Sequence, residues 1–168
     1  MKSAFAAILL AACGSAAACD RYDVAVLPFE VREDRTKTFA ELTAMNKGAG
    51  TFGQLRLDQY LAIQGAPQCR IVVGYAKPIL FVAAELAADA CAFEHVYRHE
   101  LVHVAIYRDA LLTLGERVAK RGGDKSAIFE ELDSVLPANA AHDSPAEYLG
   151  NMSACGGRVA TLTGARGL

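Results

Sequence analysis

The sequence predicts an α+β fold in which N-terminal antiparallel strands precede a long helix and further C-terminal helices. Short β-type runs lie in the first half of the chain, and a helical pattern over residues 88–121 opens the second half. The 168 residues suit one domain, and a hydrophobic fraction of 53% is enough to build its core. The formal net charge of −2 offers no basic surface, so we expect no nucleic-acid partner.

The first residues have the composition of an export signal. A lysine precedes an apolar run, and Ala16 and Ala18 form a small-residue cleavage site. We therefore expect a signal peptide over residues 1–18 and one mature domain over residues 19–168, periplasmic or secreted. The run that ends at Cys13 also resembles a lipobox, which leaves a lipid anchor to the membrane as the alternative.

The cysteine count is consistent with export. Cleavage before Cys19 leaves four cysteines: Cys19, Cys69, Cys91 and Cys155. An even number in an exported chain predicts two disulfides, and the sequence leaves all three possible pairings open. Zinc ligation by thiolates is the alternative, although no C-x-x-C spacing is present.

The strand predictions rest on short apolar runs. Residues 22–32 alternate apolar and polar positions, and residues 70–75 and 79–84 form two further β-type runs. The segment 76–78 between the latter two could close an antiparallel hairpin. Residues 33–68 contain loop-forming glycines, and their elements stay undefined.

Helix signals dominate the second half. The long helix ends at Gly122, and a second helix is expected over residues 126–136, ended by Pro137. Ser144, followed by a proline, begins a third helix that should end near Cys155. We expect the remaining tail to be loose.

The long helix contains the stretch YRHELVHVAIYRD, with His99, Glu100 and His103 in the order H-E-x-x-H. Residues four apart share a helix face, so the two imidazoles can bind one Zn²⁺. Glu100 is offset by about 100° and can reach a metal-bound water as a general base without ligating the ion. Apolar residues near the same side, among them Val102 and Ile106, indicate that this face points inward. An ordinary amphipathic helix carrying two histidines is the alternative.

His95 extends the histidine series by one turn. His95 and His103 would be about 12 Å apart along a straight helix, so one ion cannot bind all three histidines. We interpret His95 as a polar residue of the helix face, with a supporting or substrate-pocket role as the alternative.

A catalytic zinc normally has three protein ligands, and the stretch supplies two. No histidine follows His103 at the metzincin spacing. After the turn at the glycines, the chain can return to the level of His103 at residues 142–147. We predict Glu147 as the third ligand, with His142 and Asp143 as alternatives.

Other possibilities for the third position stay open: an upstream acid, Asp109, or no third protein ligand. Ser144 and Glu147 also form a capping-box sequence, which would engage the Glu147 carboxylate at the backbone instead. Tyr148 is near enough to donate to a developing oxyanion, although a packed helix aromatic is the simpler interpretation.

These motifs resemble the zincins, the H-E-x-x-H metallopeptidases, over roughly the second half of the chain. The chain is also similar to small exported bacterial H-E-x-x-H proteins, and the matching pieces are ILFVAAEL (79–86), Cys91–Phe93, His99–Val104 and Asp143–Cys155. The resemblance implies a zincin-like domain over residues 19–168, a zinc peptidase activity and Glu100 as base. The long continuation of the helix past His103 departs from the zincin pattern.

The sequence as a whole predicts an exported, monomeric zinc metallopeptidase that acts on peptides or proteins. Strand 79–84 would hold an extended peptide by edge pairing. Two alternatives are a non-catalytic envelope protein with a structural or relic metal site, and a zinc amidase acting on cell-wall peptides.

Overall fold

The computed structural model describes residues 19–165. The predicted signal peptide, its cleavage site and the lipobox at Cys13 lie outside the described residues. Within them the α+β class is confirmed. The strands are β1 (Asp23–Val26), β2 (Arg32–Asp34), β3 (Gly53–Gln64) and β4 (Arg70–Val82). The helices are α1 (Phe39–Met45), α2 (Ala90–Leu112), α3 (Leu114–Arg121), α4 (Lys125–Asp133), α5 (Leu136–His142) and α6 (Pro145–Thr163), with a short 3-10 helix at Ala84–Ala88.

The sheet is mixed and is built around β4. β3 pairs antiparallel along the length of β4, whereas β1 and β2 pair parallel with its two ends on the other edge. The prediction of antiparallel N-terminal strands is therefore wrong for β1 and β2. The two form one extended segment that is interrupted near Pro28 and keeps its direction, so both must run the same way along β4. The antiparallel partner is β3, from the region that the sequence left undefined.

The hairpin expected at residues 76–78 is absent, because β4 runs through it as one strand. Arg56 pairs with Ile79 and Asp58 with Ala76, so β4 contains one residue more than β3 between these points. Such a bulge tolerates Pro78, which has no N–H to donate, and Lys77 adopts a positive φ of 50° there. The extra residue shifts the side-chain alternation and keeps one face of β4 towards the core: Ile71, Val73, Tyr75, Leu80 and Val82.

β4 is paired on both edges, so the expectation that residues 79–84 would offer a free edge to a peptide is wrong. Within residues 19–165, β3 pairs with β4 alone, so its outer edge is unpaired, as are the outer edges of β1 and β2. The first residues of β3, Gly53–Leu55, lie beside α2 at the candidate site described below.

The helix predictions need three corrections. The long helix is divided at Thr113 into α2 and α3, and Pro137 lies at the start of α5 instead of ending a helix. The segment after Cys155 is helical to Thr163, following non-helical backbone at residues 154–157. It is held in place because Val159 is fully buried and Arg158 pairs with Asp89 at the start of α2.

Two disulfides are present within the described part of the chain, as predicted: Cys19–Cys69 and Cys91–Cys155. All four cysteines are thereby engaged with each other, which excludes the thiolate zinc site. Cys91–Cys155 joins the first turn of α2 to the interruption in α6. No helix within residues 19–165 has the length and apolar character needed to cross a membrane.

Candidate metal centre

Helix α2 places the H-E-x-x-H residues at the boundary between the core and a cavity. Asp89 begins the helix by accepting a hydrogen bond from the Ala92 amide at 3.0 Å. Glu100 and His103 are each 4% exposed, whereas Val102 is 41% exposed. The predicted inward orientation is therefore wrong for Val102: residues two apart differ by about 200° on a helix, so the face that buries Glu100 turns Val102 outward.

Three histidines meet at this boundary. Each histidine contributes one ring nitrogen, and these three nitrogens, from His99, His103 and His142, lie within 4.8 Å of one another. The three side chains can therefore hold a metal ion. His142 is the last residue of α5, and its ring stacks on that of His99 at a centroid distance of 4.2 Å. The return of the chain to the level of His103 near residue 142 thus matches the sequence-based expectation.

His103 is held at both ring nitrogens. Its Nδ1 donates to Asn139 Oδ1 at 2.8 Å, and its Nε2 donates to Asp143 Oδ1 at 3.0 Å. His99 Nε2 lies 3.4 Å from the same Asp143 oxygen. The two Nε2 atoms therefore converge on one point, which is the arrangement that two imidazoles need to bind a single cation.

The donor set suits Zn²⁺, which binds imidazole nitrogen and carboxylate oxygen in a tetrahedral arrangement. Asn139 supplies the kind of outer contact that usually fixes the tautomer of a metal-binding histidine. Because its oxygen engages the Nδ1 proton, the Nε2 atom of His103 is the one left for a metal. The residues present therefore fit zinc.

The charges of the site are coupled. Burial lowers the pKa of His103, but the hydrogen bond to Asp143 and the charge of Glu100 outweigh it and raise that pKa above its ordinary value. Partial burial raises the pKa of Asp143, and the hydrogen bonds from His103 and His99 reverse this and hold it below its usual range. Burial lowers the pKa of His142, and the neighbouring histidines lower it further. A neutral His142 is suited to ligate a metal.

Glu100 is buried against the start of β3. A Cβ on Gly53 would lie 2.6 Å from Glu100 Cγ, so the strand can approach this side chain only because residue 53 is glycine. Burial raises the pKa of Glu100 to about 7, and the nearby His103 and His99 offset this only in part. Its Oε2 atom has no hydrogen-bond partner among the described residues. A buried carboxylate with a near-neutral pKa and a free oxygen is suited to accept and return a proton.

Glu147 does not join the three histidines. Its side chain is exposed, and the group of converging nitrogens comprises His99, His103 and His142. The Glu147 amide donates to the Ser144 hydroxyl at 3.2 Å, so the N-cap is present. Within residues 19–165, the Glu147 carboxylate does not accept the return bond of a capping box from the Ser144 amide. Asp109 is exposed further along α2 and is also outside the group.

A cavity of about 530 Å³ opens over these residues. Its walls are the loop at residues 46–53, the site face of α2 and the first turns of α6. The Tyr148 ring stacks on Phe52 at 5.1 Å, and its hydroxyl would lie 2.4 Å from a Cβ on Gly50. Tyr148 is thus a packed wall residue of the cavity, as the simpler interpretation of the sequence expected.

His95 lies one turn before the cluster and is exposed. Its Nε2 pairs with Asn151 Oδ1 at 2.8 Å, and Asn151 is a buried residue of α6 that lines the cavity. His95 therefore supports the cavity wall through Asn151 without belonging to the histidine group.

Sequence reasoning missed Asn139 and Gly53. Asn139 precedes His142 by one helical turn, so a helix assigned over 136–142 would have placed both on one face. Gly53 carries no comparable signal, because its role depends on the close approach of two distant segments. Comparison with protein-family models, curated proteins and solved structures finds no match to the chain.

Proposed function

We propose that this protein is an exported, zincin-like zinc metallopeptidase that hydrolyses peptide bonds. The proposal is carried by one observation: His99, His103 and the buried Glu100 line a single cavity, and His142 joins the two histidines. A metal site and a proton acceptor are thereby adjacent in a space large enough for a peptide. Such a combination is the minimum for metal-assisted hydrolysis.

In this proposal His99, His103 and His142 hold the metal, in place of the set with Glu147 that the sequence favoured. A bound Zn²⁺ would polarise a peptide carbonyl and lower the pKa of a coordinated water. Asn139 orients His103, and Asp143 accepts a hydrogen bond from the Nε2 atoms of His103 and His99. Zinc binding must displace the protons on these two Nε2 atoms, so the affinity for zinc should fall as the pH is lowered.

Glu100 acts as the general base and then as the acid that protonates the leaving amine. Three features support this role: burial, a pKa raised to about 7, and an Oε2 atom with no partner among the described residues. A base with a pKa near the working pH can both take and return a proton efficiently.

The outer edge of β3 is the proposed binding strand for substrate, replacing residues 79–84. Gly53, Gln54 and Leu55 line the cavity beside Glu100, and β3 has no outer partner within residues 19–165. An extended peptide can add to such an edge through main-chain hydrogen bonds. The two disulfides agree with an oxidising compartment, which supports the periplasmic or secreted location.

The decisive experiment combines metal analysis with hydrolysis by the mature protein. We expect one zinc per chain and cleavage of casein or a peptide library. Glu100→Gln should keep the zinc and lose at least about 100-fold in rate, the lower end for general acid–base catalysis. His103→Ala and His142→Ala should lose zinc affinity.

Glu116→Gln is the matched control, since it removes an exposed glutamate of α3. Cleavage of peptidoglycan fragments but not of casein would assign the activity to a cell-wall amidase. Zinc binding with no hydrolysis of either substrate would identify a structural site and overturn the proposal.

A further inference from the structure

We propose that the cavity selects peptides that carry a positive charge next to the scissile bond, and that Glu147 is the residue that recognises this charge. The inference rests on the proposed peptidase function and adds a substrate class to it.

Apart from the histidine group and the metal that it would hold, the charged side chains that line the cavity are all acidic. Its acidic lining residues are Glu100, Asp143 and Glu147, and no lysine or arginine lines it in the part of the chain that the structure describes. Lys47 belongs to the neighbouring loop, but its side chain is exposed and does not line the cavity. A concave site lined by one sign of charge favours a ligand of the opposite sign.

Two of the three carboxylates already have roles within the site. Glu100 is packed against Gly53, and Asp143 accepts from His103 and His99. The Glu147 carboxylate has no hydrogen bond or ion pair within residues 19–165. The backbone amide of Glu147 donates to the Ser144 hydroxyl as part of the helix N-cap. The Glu147 carboxylate takes no part in this cap and lies free at the rim of the cavity. Glu147 is therefore the carboxylate available to a substrate.

The wall next to Glu147 suits a long cationic side chain. Tyr148 follows Glu147 directly, and its ring stacks on Phe52 at 5.1 Å. Lysine and arginine carry aliphatic stems that pack on apolar surface while the charged end reaches a polar partner. An aromatic face also attracts the cation itself.

A second feature of the cavity independently indicates a ligand. Glu100 is 4% exposed and lines the cavity, and its Oε2 atom has no partner in the described part of the chain. Buried polar atoms are nearly always hydrogen-bonded in native proteins. The unpaired oxygen is therefore suited to a group that enters from the cavity, such as a substrate N–H or the water it reacts with.

Binding should be measured with fluorescein-labelled heptapeptides that differ only at the central residue: lysine, norleucine or glutamate, with alanine elsewhere. The mature Glu100→Gln protein loaded with zinc serves as the background, so that turnover does not interfere. We expect the lysine peptide to bind about three- to tenfold more tightly than the norleucine peptide, as for one partly desolvated ion pair. The glutamate peptide should bind most weakly.

Glu147→Gln should reduce the lysine preference to below about twofold, and Glu147→Lys should reverse it in favour of the glutamate peptide. Glu130→Gln removes an exposed glutamate of α4 and should leave the preference unchanged. The thermal unfolding and the zinc content of each variant should be measured as well. They separate a loss of folding or of zinc from a loss of peptide recognition.

Equal affinities for the three peptides, binding of none of them, or an unchanged preference in Glu147→Lys would overturn the inference. Loss of zinc from Glu147→Gln would overturn it too, because Glu147 would then be a metal ligand. A lysine preference in a protein that hydrolyses no substrate would support the charge recognition and contradict the peptidase function. Hydrolysis without a charge preference would support the peptidase function and contradict the charge recognition.

Discussion

His103 donates its Nδ1 proton to Asn139 Oδ1 at 2.8 Å, and Asn139 lies three residues before His142 on the same short helix. α5 therefore contributes to the candidate metal centre twice: it orients one histidine of α2 and provides another. The position of His142 and the tautomer of His103 therefore both depend on how α5 packs against α2. The H-E-x-x-H motif alone does not specify this dependence.

Asn139→Ala should weaken zinc binding by about 10- to 100-fold, the usual effect of removing an outer partner of a metal-bound histidine. The His103 ring would no longer be held with its proton on Nδ1. A proton would then compete with zinc for Nε2. Competition with a zinc-sensitive chelating dye measures the affinity. Asn139→Asp keeps an acceptor oxygen and should retain most of the binding. Equal affinities for the wild type and the alanine variant would contradict this role.

Gly53→Ala should disturb the position of Glu100, since the added Cβ would lie 2.6 Å from Glu100 Cγ and 2.7 Å from Oε1. Both groups are held by a packed strand and a buried helix face, so the strain should lower the free energy of unfolding by about 1–3 kcal/mol. Urea denaturation measures the change. Gly65→Ala is the control, because a Cβ there has no neighbour within 4 Å. Equal effects of the two substitutions would show that β3 does not press on Glu100.

Removal of the Cys91–Cys155 disulfide should cost about 2–5 kcal/mol of unfolding free energy. The bond closes a loop with a sequence separation of 64 residues and joins α2 to α6. The double variant Cys91→Ala/Cys155→Ala should therefore unfold at lower urea concentration while keeping its zinc, because no zinc ligand contacts the bond in our assignment. Zinc loss in a variant that stays folded would mean that the bond itself positions the histidines.

The sequence predicted the parts of the site that depend on local spacing. His99 and His103 lie together because residues four apart share a helix face, and Glu100 is offset from them as expected. The return of the chain near residue 142 followed from helix length alone. The choice between His142 and Glu147 depended on how α5 and α6 are oriented, which spacing does not determine.

The fold was less predictable where long-range pairing decides the outcome. The Lys77-Pro78 pair is typical of a turn, and only the bulge opposite Arg56–Asp58 lets β4 continue through it. α1 was missed although Thr38 and Glu41 form a complete capping box, a local signal that was available. The parallel pairing of β1 and β2 with β4 has no local signature in the sequence. The direction of a strand relative to its neighbour depends on the path of the whole chain.

Glu131→Gln should give a pH-dependent loss of stability. Glu131 on α4 accepts from Arg121 and Arg117 of α3, and these hydrogen bonds lower the pKa of Glu131 from its ordinary value. A carboxylate with a lowered pKa in the folded protein stabilises it above the unfolded pKa of about 4.3, and this contribution disappears as the pH falls through the lower, folded value. The arginine side chains are 29% and 47% exposed, so solvent screening limits the effect to about 0.5–1 kcal/mol at pH 7.

Urea denaturation at pH 7, 5 and 3 should therefore show the variant less stable than the wild type at pH 7, with a smaller difference at pH 3. Added salt at about 1 M should reduce the difference at pH 7, because it shortens the screening length to about 3 Å. Glu130→Gln, one residue away and exposed, has no ion pair within residues 19–165 and should show no pH-dependent difference. A deficit for Glu131→Gln that persists unchanged at pH 3 would mean that the shape of the side chain, and not its charge, joins α3 to α4.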